Sequence, residues 1–335
     1  MDDEALQAQV DRMLTGYWVS QAIHVAAKLG VADLLKDTSR TAEDLARATG
    51  SNAAALYRLL RALASLGFFS EDAQHRFALA PLGKYLRSDV PGSKRSLAIM
   101  TGEEHYRACA EMLYSTQTGK AAYDKVFGMP VFDYLSKHPD KSKIFDEAMV
   151  GVHGRETGAM LDAYDFSAIP VLADVGGGNG SVLRAVLERY PKMKGILYDL
   201  PGVVERAKAG IQAAGLENRC QTIGGSFFDS VPTGADGYMM RHIIHDWDDE
   251  KSIRILKNIH RAMGADAKLL VVEGVIPPGN EPSFDKLLDL AMLILTGGKE
   301  RTEAEYRELY ATAGFRLTRI VPTPAGVSVI EGKKA

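Results

Sequence analysis

The run Ala173-Asp174-Val175-Gly176-Gly177-Gly178-Asn179-Gly180-Ser181 decides the fold. It closes a short apolar stretch, Val171 to Val175, and opens a helix through glycines that let backbone approach a ligand closely. Strand, glycine loop and helix in that order begin a βαβ unit, which places a nucleotide-like site in the middle of the chain. The spacing is Gly-x-Gly-x-Gly. The dinucleotide fingerprint Gly-x-Gly-x-x-Gly needs its third glycine where Ser181 stands, so a nicotinamide cofactor is disfavoured.

Downstream of this loop, short β-rich runs alternate with helices. A helix runs to Tyr190, followed by Gly195 to Tyr198, a helix to Ala214, and Cys220 to Ile223. Further strands are expected at Gly237 to Met240, Leu269 to Val275, Phe315 to Val321 and Val327 to Ile330. The class is α/β: a mainly parallel, seven-stranded, Rossmann-like sheet. Upstream, residues 2 to 100 read as helices. Thr41 caps a short helix that stops at Gly50, a second runs from Ser51 to Leu66, and Phe68-Phe69 and Arg76 to Leu79 suggest a hairpin. Together these make a winged-helix-like unit. Leu56, Leu59, Leu60, Leu63 and Leu66 give its second helix a wide apolar stripe, and Arg58 and Arg61 are too few for a phosphate footprint. Three segments are expected: a helical winged-helix-like domain at 1–100, a helical linker and acceptor-pocket segment at 101–165, and a catalytic domain at 166–335.

The 335 residues, 46% of them apolar, suffice for a full core. Forty basic against 43 acidic residues leave no global field for steering onto nucleic acid or an anionic membrane. The acidic start Met1-Asp2-Asp3-Glu4 does not read as a signal peptide, and the expected location is the cytoplasm. Cys109 and Cys220 are the only cysteines and support neither a disulfide framework nor a zinc cluster.

In an open α/β sheet, ligands sit beyond the carboxyl ends of the strands. The glycine loop with Asp174, Gly176 and Gly178 is the first element of that site. The second is Asp199, which lies 25 residues beyond Asp174 at the tip of a strand. A carboxylate there can accept both hydroxyls of a ribose; it can also cap the helix that begins at Leu200-Pro201. The third element, Gly224-Gly225-Ser226-Phe227-Phe228-Asp229, offers a hydroxyl and two aromatics able to enclose an adenine or to fill the core.

Met240-Arg241-His242-Ile243-Ile244-His245-Asp246-Trp247-Asp248 follows the fourth strand. From here the chain resembles the class I S-adenosylmethionine-dependent O-methyltransferases of the caffeate and acetylserotonin type, including bacterial enzymes that methylate aromatic small molecules. The resemblance rests on Asp174 to Gly180, Tyr198-Asp199-Leu200-Pro201, Gly224 to Phe228, His245 to Asp248, and Gly297-Gly298-Lys299-Glu300-Arg301-Thr302. It implies that Gly176 lines the methionine part of S-adenosylmethionine and that Asp199, with Leu200 beside it, binds the ribose. Ser226 and Phe227 would flank the adenine, with Arg241 in the same site. His245 would be the general base, flanked or oriented by Glu273 and Glu300. One departure stands out: the family usually has an acid at position 226, and serine binds an adenine amino group without charge assistance. By the same resemblance, Phe127, Phe132, Phe145, Met149, Met292 and Leu295 would wall the acceptor, and the N-terminal helices, through Tyr17, Trp18 and Ile23, would build a homodimer.

The chemistry is consistent on its own terms. A phenol of pKa near 10 is a poor nucleophile at neutral pH, and a histidine near 6.5 is suited to take its proton during attack. The gap corresponds to roughly 5 kcal/mol against prior deprotonation. Holding the oxygen in line with the methyl carbon supplies several kcal/mol, and no metal is required. His245 can also be read as a helix cap, a core histidine, or half of a zinc site with His242; the last lacks an i, i+4 pair and a cysteine partner. Two rival functions remain in view: N-methylation or cofactor-assisted hydroxylation or decarboxylation on the same fold, and a ligand-sensing winged-helix regulator of DNA.

Overall fold

The computed structural model describes residues 2–335. The chain divides into two compact units, Met1–Ala110 with Phe132–Gly154, and Glu111–Val131 with Arg155–Ala335.

In the first unit, helix Asp3–Leu14 starts at an Asp2 cap and buries none of its residues. Helix Gly16–Lys28 follows, burying Ala26 and Ala27. Strands β1 (Arg40–Thr41), β2 (Phe69–Glu71) and β3 (Arg76–Leu79) form a small antiparallel sheet in the order β1-β3-β2. Helix Ala42–Thr49 is capped by the Thr41 hydroxyl, which accepts the Asp44 N–H, and ends at Gly50 in the left-handed region. Asn52 caps helix Ala53–Ser65, whose Leu56, Leu60 and Leu63 pack with Leu45, Phe69 and Phe77. Leu66, expected in that stripe, is exposed instead. The three-stranded sheet and its helices are thus the winged-helix-like arrangement read from the sequence.

The second unit holds β4 (Val171–Val175), β5 (Lys194–Asp199), β6 (Cys220–Gly224), β7 (Gly237–Arg241), β8 (Lys268–Glu273), β9 (Phe315–Pro322) and β10 (Ser328–Lys334) in one sheet. Their order is β6-β5-β4-β7-β8-β10-β9, parallel from β6 to β8, with β10 antiparallel to both its neighbours. The near-continuous apolar strands are buried on both faces, as helix-covered parallel strands require. Ile255, Leu256, Ile259, Tyr306 and Tyr310 cover one face, and Met160, Leu183, Val186 and Leu187 the other. After β6 the chain returns to the far side of β4, so the switch point of this topology lies where β4 and β7 end side by side.

Three boundaries differ from expectation. Strand β8 stops at Glu273, whose carboxylate turns inward to bind loop amides. Strand β10 runs on to Lys334, because its polar Glu331 is paired with Tyr164, Thr318 and Arg319 while Gly332 to Lys334 continue the ladder with β9. Residues 101–165 do not form a third unit. Helix Pro139–Ala163 contributes Ile144 to the apolar cluster of the first unit and Met160 and Leu161 to that of the second. Among the described residues, no helix is long and apolar enough to cross a membrane.

Candidate active site

The glycine loop closes onto the ends of β4 and β7. Gly176 has φ +75°, and a Cβ there would stand 2.5 Å from Ile243 Cδ1 and 3.6 Å from Phe227 Cε1. Only glycine fits. The Asp174 carboxylate is tucked beneath the loop, with Oδ2 buried and lacking a hydrogen-bond partner. Burial pushes its pKa up to about 7; Arg241 opposes the shift and Asp199 adds to it.

At the tip of β5, Asp199 Oδ2 accepts the Gly178 N–H at 2.9 Å and Oδ1 accepts the Leu200 N–H at 2.6 Å. Leu200 is the N-cap of helix Pro201–Ala213, so the Asp199 carboxylate does not cap it. It is instead bound to the glycine loop. Burial raises its pKa, and the two backbone hydrogen bonds work against that. Ser226 accepts the Phe228 N–H at 3.3 Å. The rings of Phe227, Phe228 and Trp247 meet edge to face, with centroids 4.8 to 6.2 Å apart.

His245 lies in a short 3-10 turn, Ile244–Asp246, and is fixed at three points. Its backbone N–H donates to Glu273 Oε1 at 3.2 Å, its carbonyl accepts the Lys299 N–H at 2.8 Å, and its Nδ1 meets Glu300 Oε1 at 2.5 Å. The approach of the Lys299 segment requires Gly298, where a Cβ would fall 2.0 Å from the His245 carbonyl oxygen. Burial disfavours charge on the ring, but the Glu300 hydrogen bond and the nearby carboxylates of Asp246, Glu273 and Glu300 outweigh it and raise the pKa to about 10. The Glu300 contact therefore favours a proton on the ring, while burial raises the Glu300 carboxyl as well. With Nδ1 engaged, Nε2 is the nitrogen left for chemistry; Asp246 Oδ1 lies 3.9 Å from it.

Of the two acids expected beside His245, only Glu300 touches the ring. Glu273 holds the loop instead, accepting the successive N–H groups of Ile243, Ile244 and His245 on Oε1 and the Tyr306 hydroxyl on Oε2. Sequence reasoning passed over Asp246, whose carboxyl burial lifts to about 7. It also gave no role to Arg301, fully buried and donating to Ile244 O, Trp247 O and Asp249 Oδ1. The adjacent positions His245-Asp246 and Glu300-Arg301 carried a signal; their burial did not show. The six wall candidates are divided between the units. Phe132, Phe145 and Met149 belong to the first, where the Phe132 and Phe145 rings pack edge to face. Phe127, Met292 and Leu295 belong to the second, where Phe127 lies against Tyr123.

Fold and site together define a class. Residues 106–316 match the O-methyltransferase domain and residues 12–89 its dimerisation domain, and the chain belongs to this family of S-adenosylmethionine-dependent O-methyltransferases. It is 47% identical to the phenazine O-methyltransferase PhzM of Lysobacter antibioticus, over 96% of this chain and 94% of that protein. The crystal structure of LaPhzM superposes with a TM-score of 0.95 at 46% identity, covering 98% of this chain and 99% of that one. NcsB1 from neocarzinostatin biosynthesis, in complex with S-adenosylmethionine and 2-hydroxy-5-methyl naphthoic acid, is 35% identical with a TM-score of 0.86, over 95% of this chain and 96% of that one. The residues present fit the cofactor: a glycine cradle that a Cβ would fill, an unpartnered buried carboxylate at Asp174, and a half-buried carboxylate at a strand tip.

Proposed function

We propose that this chain transfers the methyl group of S-adenosylmethionine to a hydroxyl of an aromatic small molecule, with His245 as general base and no metal. The observation that carries the reading is the short Nδ1–Glu300 contact, which leaves Nε2 as the proton acceptor. When bound, S-adenosylmethionine supplies an electrophilic methyl group on a cationic sulfur, and a cation in this pocket works against protonation of His245. Asp199 holds the ribose, the Gly176–Gly178 backbone lines the methionine end beside Asp174 while its Gly176 and Gly178 N–H groups are engaged by Tyr198 O and Asp199 Oδ2, and Ser226, Phe227 and Arg241 surround the adenine. His245 accepts the phenolic proton as the oxygen attacks, Glu300 stabilises the imidazolium that results, and Glu273 keeps the loop in place. Within the unit that carries His245, Phe127, Met292 and Leu295 are proposed as the acceptor's apolar wall.

The relatives named above support aromatic acceptors such as hydroxylated phenazines or naphthoic acids. Incubation with labelled methyl donor and a panel of such phenols tests this directly. Label on a phenolic oxygen is the expected result; label confined to a ring nitrogen would favour N-methylation. Asp199→Ala is expected to weaken cofactor binding by about a hundredfold in calorimetry, since a hydrogen bond to a charged acceptor is worth about 1.5–3 kcal/mol. Unchanged affinity would remove Asp199 from the ribose role.

The working form is proposed to be a homodimer. Leu6, Val10, Met13, Leu14, Tyr17, Trp18 and Val19 are exposed along the first two helices, an apolar stretch that needs a partner. Ile23 is not among them, because it packs into the core of its own unit. Trp18→Glu is expected to shift the protein toward monomer in analytical ultracentrifugation, and an unaltered dimer would exclude this face.

A further inference from the structure

Among the described residues, only His75 and His242 combine a side chain with a positive φ, and His242 (φ +53°) directly follows the last residue of β7. A non-glycine residue in that region is strained and persists where surrounding contacts hold it. Here they do: Nε2 meets Glu156 Oε2 at 2.8 Å, and the backbone N–H donates to Val272 O at 3.2 Å. The same helix grips the preceding residue, with Arg241 Nη1 donating to Thr157 Oγ1 at 2.9 Å and lying 3.9 Å from Glu156. The strained backbone brings the His242 ring to 5.1 Å from the His245 ring, centroid to centroid, at a 40° tilt.

We infer that His242 is a positioning residue for methyl transfer: gripped by Glu156, its imidazolium backs the ring of His245 and opposes the negative charge gathered around that base. The inference rests on the general-base reading of His245. Around His245 stand Glu300, Asp246 and Glu273, each favouring a bound proton, which a base must shed before it can act. Around His242 stand Glu156 and Arg241, with Asp174 beyond Arg241 and His153 one turn before Glu156 on the same helix. A cation at 242 shifts the balance at His245 toward the neutral ring, while ring contact limits its rotation.

The test is His242→Gly, which suits the positive φ, alongside His242→Asn, which also tolerates it and carries no charge. In both, kcat at pH 7 is expected to fall about tenfold and the acidic limb of the kcat profile to move up by about one pH unit. The acceptor KM and the calorimetric affinity for S-adenosylhomocysteine are expected to stay within about threefold. Added imidazole should restore part of the rate to His242→Gly alone. A purely structural role would lower stability or rate without moving the limb, so an unmoved or lowered limb in either folded variant overturns the inference. If His245→Ala is inactive while the His242 variants keep the limb, this inference alone fails; near-normal turnover by His245→Ala defeats the general-base reading itself.

Discussion

His245→Ala is expected to lower kcat by about a thousandfold, or about 4 kcal/mol, while cofactor affinity stays within about twofold. The separation follows from geometry. The cofactor cradle is held by other groups: Gly178 is tied to Asp199 and Gly176 packs on Ile243. Loss of the ring removes the proposed proton acceptor and leaves a small cavity beside Glu300. The pH profile gives a second check. An imidazolium cannot take a proton, and the free-enzyme ring is held near 10 by Glu300 and its neighbouring carboxylates against the effect of burial. The acidic limb of kcat/KM, which reports the free enzyme, should therefore lie above the ordinary histidine range, with activity rising as the medium becomes more alkaline. In His245→Ala the limb disappears. A variant that kept both its turnover and its limb would require another base.

Much of this arrangement is readable from the residues, for identifiable reasons. Val171 to Val175 is apolar without a break and ends in glycines, and β4 has those bounds. Thr41 and Gly50 punctuate their helix with local chemistry, and local chemistry is what a sequence displays. Helix Pro139–Ala163 is different. Its apolar residues serve two cores, so no single stripe marks a boundary, and residues 101–165 read as one segment in the sequence. The site divides in the same way. Asp199 and Gly176 belong to a spaced pattern, whereas the roles of Arg301 and His242 depend on contacts 50 or more residues away, and that of Asp246 on its burial. Arg301 looks like a surface residue until Ile244, Trp247 and Asp249 are seen to surround its guanidinium. Glu273 was placed by resemblance, but its function as a backbone clamp emerges only when three successive amides converge on one oxygen.

That clamp predicts the largest stability loss in the molecule's catalytic half. Glu273 is fully buried, and Glu273→Ala leaves three amide N–H groups and the Tyr306 hydroxyl to find other partners. Tyr306 has one within reach, Gly274 O at 3.3 Å; the amides of Ile243 and Ile244 face a void. At about 1–3 kcal/mol for each unsatisfied buried donor, the cost is about 4 kcal/mol, a large share of a typical stability of about 5–15 kcal/mol. For a chain of this length that corresponds to a fall of about 6 °C in Tm. Glu273→Gln should behave differently, because its carbonyl oxygen still accepts the loop amides while its NH2 donates to the Tyr306 oxygen and the Tyr306 hydroxyl turns to Gly274. Its Tm is expected within about 2 °C of wild type. Its chemistry should still change. Removing a carboxylate that favours protonation of His245 lowers the acidic limb, the direction opposite to that expected for His242→Gly. Calorimetric melting of the two Glu273 variants, with pH profiles of the folded one, separates the hydrogen-bonding role of the carboxylate from its charge. If Glu273→Ala melts within 1 °C of wild type, Glu273 is not what holds His245 in place.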